Sequence, residues 1–144
     1  MIINSSIKNN KRYDINKLIE FIVEHYFKHE DIILSISYND NLCDHFSTND
    51  IKLEAILDKT PMPKHYNLVM REYAPVREVI CHEMVHLDQY ERGDLSINKF
   101  EDKIYFNWKG EDYDPSTPYE ERPWEEEAYK LQSKLWKEFK KWVS

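Results

Sequence analysis

Between Pro75 and Gly93 the apolar residues recur every three to four positions, and at the centre of this stretch stands His82-Glu83-Met84-Val85-His86. A helix turns by about 100° per residue, so Val76, Ile80, Met84 and Leu87 gather on one side. His82 and His86 gather on a second side with Val79 and Tyr90, and charged Arg77, Glu78, Asp88 and Arg92 are left a narrow strip. The pattern predicts a helix buried on two sides. Pro75 suits its first turn, where a missing N–H costs nothing, and Gly93 suits the position just past its end. Two imidazoles four residues apart on one helix face can hold a single Zn²⁺, and the glutamate beside them can take the proton of a water activated there. In a chain with 6 His and 27 acidic residues the pentapeptide can also arise by chance, so the weight falls on its helical setting.

A catalytic zinc site needs three protein ligands and one open position. His25, His29, His45 and His65 all precede the motif and no histidine follows it. The pattern with a third His six residues after the second is absent, because Gln89 stands where its Gly belongs and Arg92 where its His belongs. A downstream ligand is then a carboxylate. Three adjacent glutamates, Glu125, Glu126 and Glu127, open an amphipathic C-terminal segment, and helical phasing separates them. Glu125 falls in the arc of Ala128, Leu131, Leu135, Trp136, Phe139, Trp142 and Val143, whereas Glu126 and Glu127 fall beside Lys130, Lys134, Lys137 and Lys141 as solvated ion-pair partners. A carboxylate on an apolar face must be paired or bound to a metal. Ala128, one turn on, leaves room for another helix to approach. The plain alternative for Glu125 is a first-turn glutamate favoured by the helix dipole.

With HEMVH and RPWEEEAY in hand, the region from about residue 65 to 136 resembles the small zincin-fold metallopeptidases of bacteriophage and mobile-element genomes. These in turn resemble the Glu-ligand branch of zinc peptidases. The resemblance implies a third ligand three residues before an Ala on a second helix, which is Glu125, and an edge strand near the first helix that pairs with an extended peptide substrate. It also implies an Asp or Asn directly after that Ala, to hold a histidine ligand. Tyr129 stands there instead, so another carboxylate or a backbone carbonyl is expected to take that role.

A chain of 144 residues accommodates one domain, 1–144, with a real core. Aromatics at 14% and only 2 Gly exclude a disordered or repetitive chain. A net charge of −7 argues against a nucleic-acid phosphate surface, and the lysines of the last helix, interleaved with Glu126, Glu127 and Glu138, read as its wet side. No apolar run approaches membrane-spanning length and MIINSSIKNNKRYD has no apolar signal core, so a cytoplasmic location in a bacterial or phage-infected cell is expected, with no membrane partner. Cys43 and Cys81 do not suggest a disulfide framework. Cys81 projects away from His82 and reads as a small core residue, and Cys43-Asp44-His45 lacks a complementary pair for a second metal site.

Along the chain, Asp14 is a candidate N-cap for a helix from about Ile15 to His29, with Leu18, Ile19, Ile22, Tyr26 and Phe27 inward. Asp31–Tyr38 reads as a strand, residues 39–50 as a polar loop, Ile51–Leu57 as ambiguous, and His65–Tyr73 as a strand. Lys103–Tyr113 suggests a hairpin. Thr117, Pro118 and Glu120 offer a capping box, but Arg122 before Pro123 moves the start of the last helix to Pro123.

The expectation is an α+β minimal zincin-like domain: a small mixed sheet, the HExxH helix and a C-terminal helix bringing Glu125 to the metal. The expected function is zinc-dependent hydrolysis of a peptide or protein, with Zn²⁺ on His82, His86 and Glu125 and with Glu83 as the base. Tyr129, Tyr119, Tyr90 and Arg122 are unranked candidates for stabilising the oxyanion. The competing readings are a catalytically inactive binding or host-interaction protein that keeps the scaffold and metal, and a metal-free helical core in which both motifs are coincidental.

Overall fold

The computed structural model describes residues 2–6, 9–29, 31–46 and 53–144, with backbone alone for 9–14, 45 and 46. The strand expected at Asp31–Tyr38 forms as β2 (Ile33–Tyr38), and the one expected from His65 forms as β4 (His65–Met70). Their inward residues, Leu34 and Ile36 on one and Tyr66, Leu68 and Met70 on the other, are buried at every second position, as a sheet with one covered face requires. β1 (Ile2–Ser5) and β4 flank β2 in parallel, and β3 (Ala55–Lys59) closes the order β1-β2-β4-β3 antiparallel to β4. Such parallel pairs need helical crossovers. α1 (Asn9–Ile22), extended by a wider helical turn over Val23–Phe27, links β1 to β2. It places Ile15, Leu18, Ile19, Phe21 and Ile22 in the main core.

α3 (Val76–Glu91) follows β4 and carries the pentapeptide. It packs against α1, β3 and, most extensively, α4 (Pro123–Val143). Ile80, Cys81, Met84, Val85 and Leu87 join the main core. Between the two helices, β5 (Leu95–Phe100), β6 (Lys103–Trp108) and β7 (Glu111–Tyr113) form a separate antiparallel ribbon in that order. Its small core is Leu95 and Trp108 against Trp124 of α4. The tight turn of the expected hairpin is Lys109-Gly110, both at positive φ (49° and 89°), the geometry that a right-handed two-residue hairpin demands. The architecture is α+β, as expected.

Several local expectations are corrected. α1 begins at Asn9, so Asp14 lies inside the helix and does not cap it. Polar residues 39–46 are not loop: α2 (Asp40–Phe46) forms there, and Asn39 Oδ1 accepts the Leu42 N–H at 3.0 Å as its N-cap. Residues 47–50 of that segment, and Ile51 and Lys52 of the ambiguous one, lie outside the described residues, as does the side chain of His45. The β4 strand is internal, paired to β2 and β3, so the sheet edge beside α3 belongs to β3. β5 was not anticipated, because Ser96, Asn98 and Lys99 dilute its apolar signal. Thr117 makes no capping box: its hydroxyl donates to the Asp114 carbonyl at 2.6 Å. A short 3₁₀ turn at Tyr119–Glu121 intervenes, Arg122 is extended, and α4 starts at Pro123. Pro75 sits one position before the first residue of α3, and Gly93 at φ +81° ends the helix with its N–H on the Tyr90 carbonyl. Asp88, assigned to the exposed strip, is buried against His29 Nε2 and Arg92 Nη1, each 2.6 Å away. At the far end of α4, Trp142 and Val143 project beyond the core and are half exposed.

Candidate metal centre

The seam between α3 and α4 sets the site. Ala128 is fully buried in it, so the absence of a longer side chain there lets the helices approach closely enough for Glu125 to reach across. Glu125 and His86 are buried and His82 is half-buried at the rim. His82 Nε2 lies 3.1 Å from His86 Nε2 and 3.3 Å from Glu125 Oε1, and His86 Nε2 is in direct contact with the same carboxylate oxygen. One ligand atom of each residue falls within 4.8 Å of the other two. Tetrahedral zinc with bonds near 2.1 Å separates its ligand atoms by about 3.4 Å. His82, His86 and Glu125 therefore form a group able to hold a metal ion, the same three residues singled out in the sequence.

The hydrogen bonds behind the imidazoles fit that use. His82 Nδ1 lies 2.6 Å from Gln132 Oε1, and His86 Nδ1 lies 2.8 Å from Gln89 Oε1. An amide oxygen only accepts, so each ring carries its proton on Nδ1 and turns the Nε2 lone pair to the shared point. Two lone pairs and a carboxylate crowded together repel unless a cation sits among them. Without a metal the carboxylate favours a proton there: burial alone would lower the His86 pKa, but Glu125 raises it to about 9. Burial likewise opposes ionisation of Glu125, and its bonds to His82 and His86 outweigh this and hold it well below the usual carboxylate range.

Glu83 is on the same helix, half-buried, and faces a cleft of ≈ 1020 Å³ bounded by the start of β3, the 115–120 segment, Tyr129 and Gln132. Burial pushes its carboxyl above the ordinary range, with Glu125 adding and the two histidines subtracting. Of the oxyanion candidates, Tyr119, Tyr129 and Arg122 line this cleft and Tyr90 does not. Burial and the nearby Glu125 carboxylate push the Tyr119 hydroxyl pKa up; the Tyr119 ring stands edge-on to Tyr129 at 6.0 Å, and the Tyr129 ring edge-on to His82 at 4.8 Å. Arg122 donates to the carbonyls of Thr117 and Pro115, both at 3.0 Å, and so braces the cleft wall.

Two expectations change here. The orienting partners of the histidines are side-chain amides rather than a carboxylate or backbone carbonyl. Glu127 is not a solvated partner of the lysine face: it is half-buried, bonded to Arg92, and accepts from Gln89 Nε2 at 3.1 Å. Glu126 does behave as expected, exposed and paired to Lys130 at 3.1 Å. A signal for the two glutamines existed in the spacing: Gln89 is three residues past His86 and Gln132 seven past Glu125, each on its ligand's helix face. Cys81 is fully buried, with burial pushing its thiol up to about 12, as befits an inert core residue. Among the described residues no helix is long and apolar enough to cross a membrane. Comparison with protein-family models, curated proteins and solved structures yields no match to this chain.

Proposed function

We propose that the protein is a zinc-dependent peptidase, with His82, His86 and Glu125 as metal ligands and Glu83 as the general base. The observation that carries this reading is the convergence of two Nε2 atoms and one buried carboxylate oxygen beside an open cleft onto which Glu83 faces. Two imidazoles and a carboxylate with a fourth position left to the cleft are the donor set of a catalytic zinc site, whereas a structural site is closed by four protein ligands. Bound there, Zn²⁺ supplies Lewis acidity toward a carbonyl oxygen and lowers the pKa of water.

The chain's own residues do the rest. Glu83, whose carboxyl burial raises above its ordinary pKa, would take the proton from the attacking water and pass it to the leaving amine. Tyr119 and Tyr129 line the cleft beside His82 and Glu83 and would donate to the developing oxyanion. An extended peptide would lie between Ala55 at the outer edge of β3 and the wall braced by Arg122.

The test is metal analysis followed by hydrolysis of casein or a fluorogenic peptide. About one zinc per chain is expected, with cleavage abolished by chelator and restored by zinc. A protein that takes up zinc through these ligands and leaves every peptide intact would overturn the peptidase reading.

A further inference from the structure

The two amides behind the histidines differ in how firmly they are held. Gln89 is fully buried, and its Nε2 donates to the Trp124 carbonyl at 3.0 Å and to Glu127 Oε1 at 3.1 Å. Turning this amide over would set its oxygen against two acceptors and its N–H groups against the His86 Nδ1–H, with no water to relieve either clash. Glu127 is itself fixed by Arg92, whose Nη1 reaches Asp88 Oδ2 at 2.6 Å and whose Nε reaches Asp94 Oδ2 at 2.7 Å. Gln132, by contrast, is half-buried and lines the cleft, where water can approach it.

We infer that Gln89 and Gln132 are positioning residues: they decide which nitrogen of His86 and of His82 faces the metal, and Glu127 acts on the site through Gln89. This rests on the zinc reading above. His86 is thereby the rigid ligand and His82 the adjustable one. Without its amide an imidazole can swap tautomers or turn its ring, and the fraction presenting Nε2 falls, weakening metal binding while every ligand remains.

The experiment measures zinc affinity by competition with a chromophoric chelator, and the Nδ1–H of each histidine by ¹⁵N NMR of the zinc-loaded protein. Gln89→Met should lower affinity about 10- to 100-fold and remove the His86 Nδ1–H signal while sparing that of His82. Gln132→Met should cost less, about tenfold, with the reverse pattern, and Gln132→Glu, which keeps an acceptor, should restore affinity. Glu127→Ala should weaken zinc a few-fold, about 3- to 10-fold, in the parent protein and no further in Gln89→Met, the signature of action through one residue. Glu126→Ala should leave affinity unchanged. If Gln89→Met does not fold, the Gln132 and Glu127 variants carry the same test. Parent protein that binds zinc, with Gln variants that bind it equally and keep both Nδ1–H signals, overturns this inference alone. Parent protein that takes up no zinc overturns the reading of the site and this inference with it.

Discussion

The α3–α4 seam and the β5–β6–β7 ribbon are neighbours in sequence and share Trp124, yet they are built to opposite standards. Along the seam, buried and half-buried polar groups are paired in a chain: Gln132 to His82, His82 and His86 to Glu125, His86 to Gln89, Gln89 to Glu127, Glu127 to Arg92 and Arg92 to Asp88. The ribbon is packed through Leu95, Phe106, Trp108 and Tyr113 around Trp124, and leaves Ile97, Phe100 and Ile104 more than half exposed. On the zinc reading proposed above, the difference follows from what each region has to do. Holding three ligand atoms in register would take close packing and satisfied hydrogen bonds on all sides, whereas the ribbon would need only to clamp Trp124, the residue before Glu125, and so set the start of α4 from behind.

The largest effect should come from the seam. Glu83→Gln should lower peptide hydrolysis by about 10²- to 10⁴-fold while zinc content stays near that of the parent. Loss of the metal in that variant, with the fold intact by circular dichroism, would make Glu83 a ligand. His86→Ala and Glu125→Ala should empty the site instead.

Trp124→Ala tests the shared anchor. Deleting this buried indole should cost about 3–5 kcal/mol in denaturant unfolding and also weaken zinc, because the start of α4 loosens. Leu135→Ala, buried in the main core far along the same helix, should cost about 2–5 kcal/mol with zinc affinity per folded molecule unchanged. Equal zinc loss in both would mean that the ribbon has no special role.

Next comes pH. In the metal-free protein the raised His86 pKa stabilises the fold fully below its ordinary 6.5, and this is lost as pH rises through about 9. The depressed Glu125 pKa stabilises it fully above the ordinary 4.5 and is lost as pH falls further. With chelator, then, this pair contributes most between these two ordinary values and less toward pH 10. Zinc reverses the acid side, since it competes with protons for the same atoms. The Tm increment from zinc at 100 times its Kd, worth about 2.7 kcal/mol at pH 7.5, should shrink at pH 5. An increment equal at both pH values would place the zinc away from the histidines.

The smallest effects mark the ribbon's tip and the wet face of α4. Ile104→Ser and Glu126→Ala should each change stability by no more than about 0.5 kcal/mol. A loss at Ile104 as large as that at Leu135 would show that the ribbon tip is covered in solution, and the contrast drawn here would fail.

The seam was the more legible of the two regions in the sequence. Two histidines at helical spacing and one glutamate phased onto an apolar face pick out the ligand set, because helix geometry is local and burial of an unpaired carboxylate is costly. The end of α3 at Gly93 and the start of α4 at Pro123 were readable for the same reason. Asn39 as an N-cap and β5 were missed where polar side chains diluted the periodic signal.

What the sequence by itself determined, then, is which residues share a helix face: His82 with His86, and Glu125 with Ala128 and Leu135. Only the tertiary structure decided what those faces meet. It placed β4 inside the sheet and β3 at its edge, buried Asp88 against His29, drew Glu127 from the lysine side into Arg92 and Gln89, and gave the histidines amide partners. The reason is physical. Periodicity fixes the direction of a side chain relative to its own helix axis, whereas hydrogen-bond partners across a seam depend on helix separation and rotation, which the packing of Ala128 and Trp124 sets.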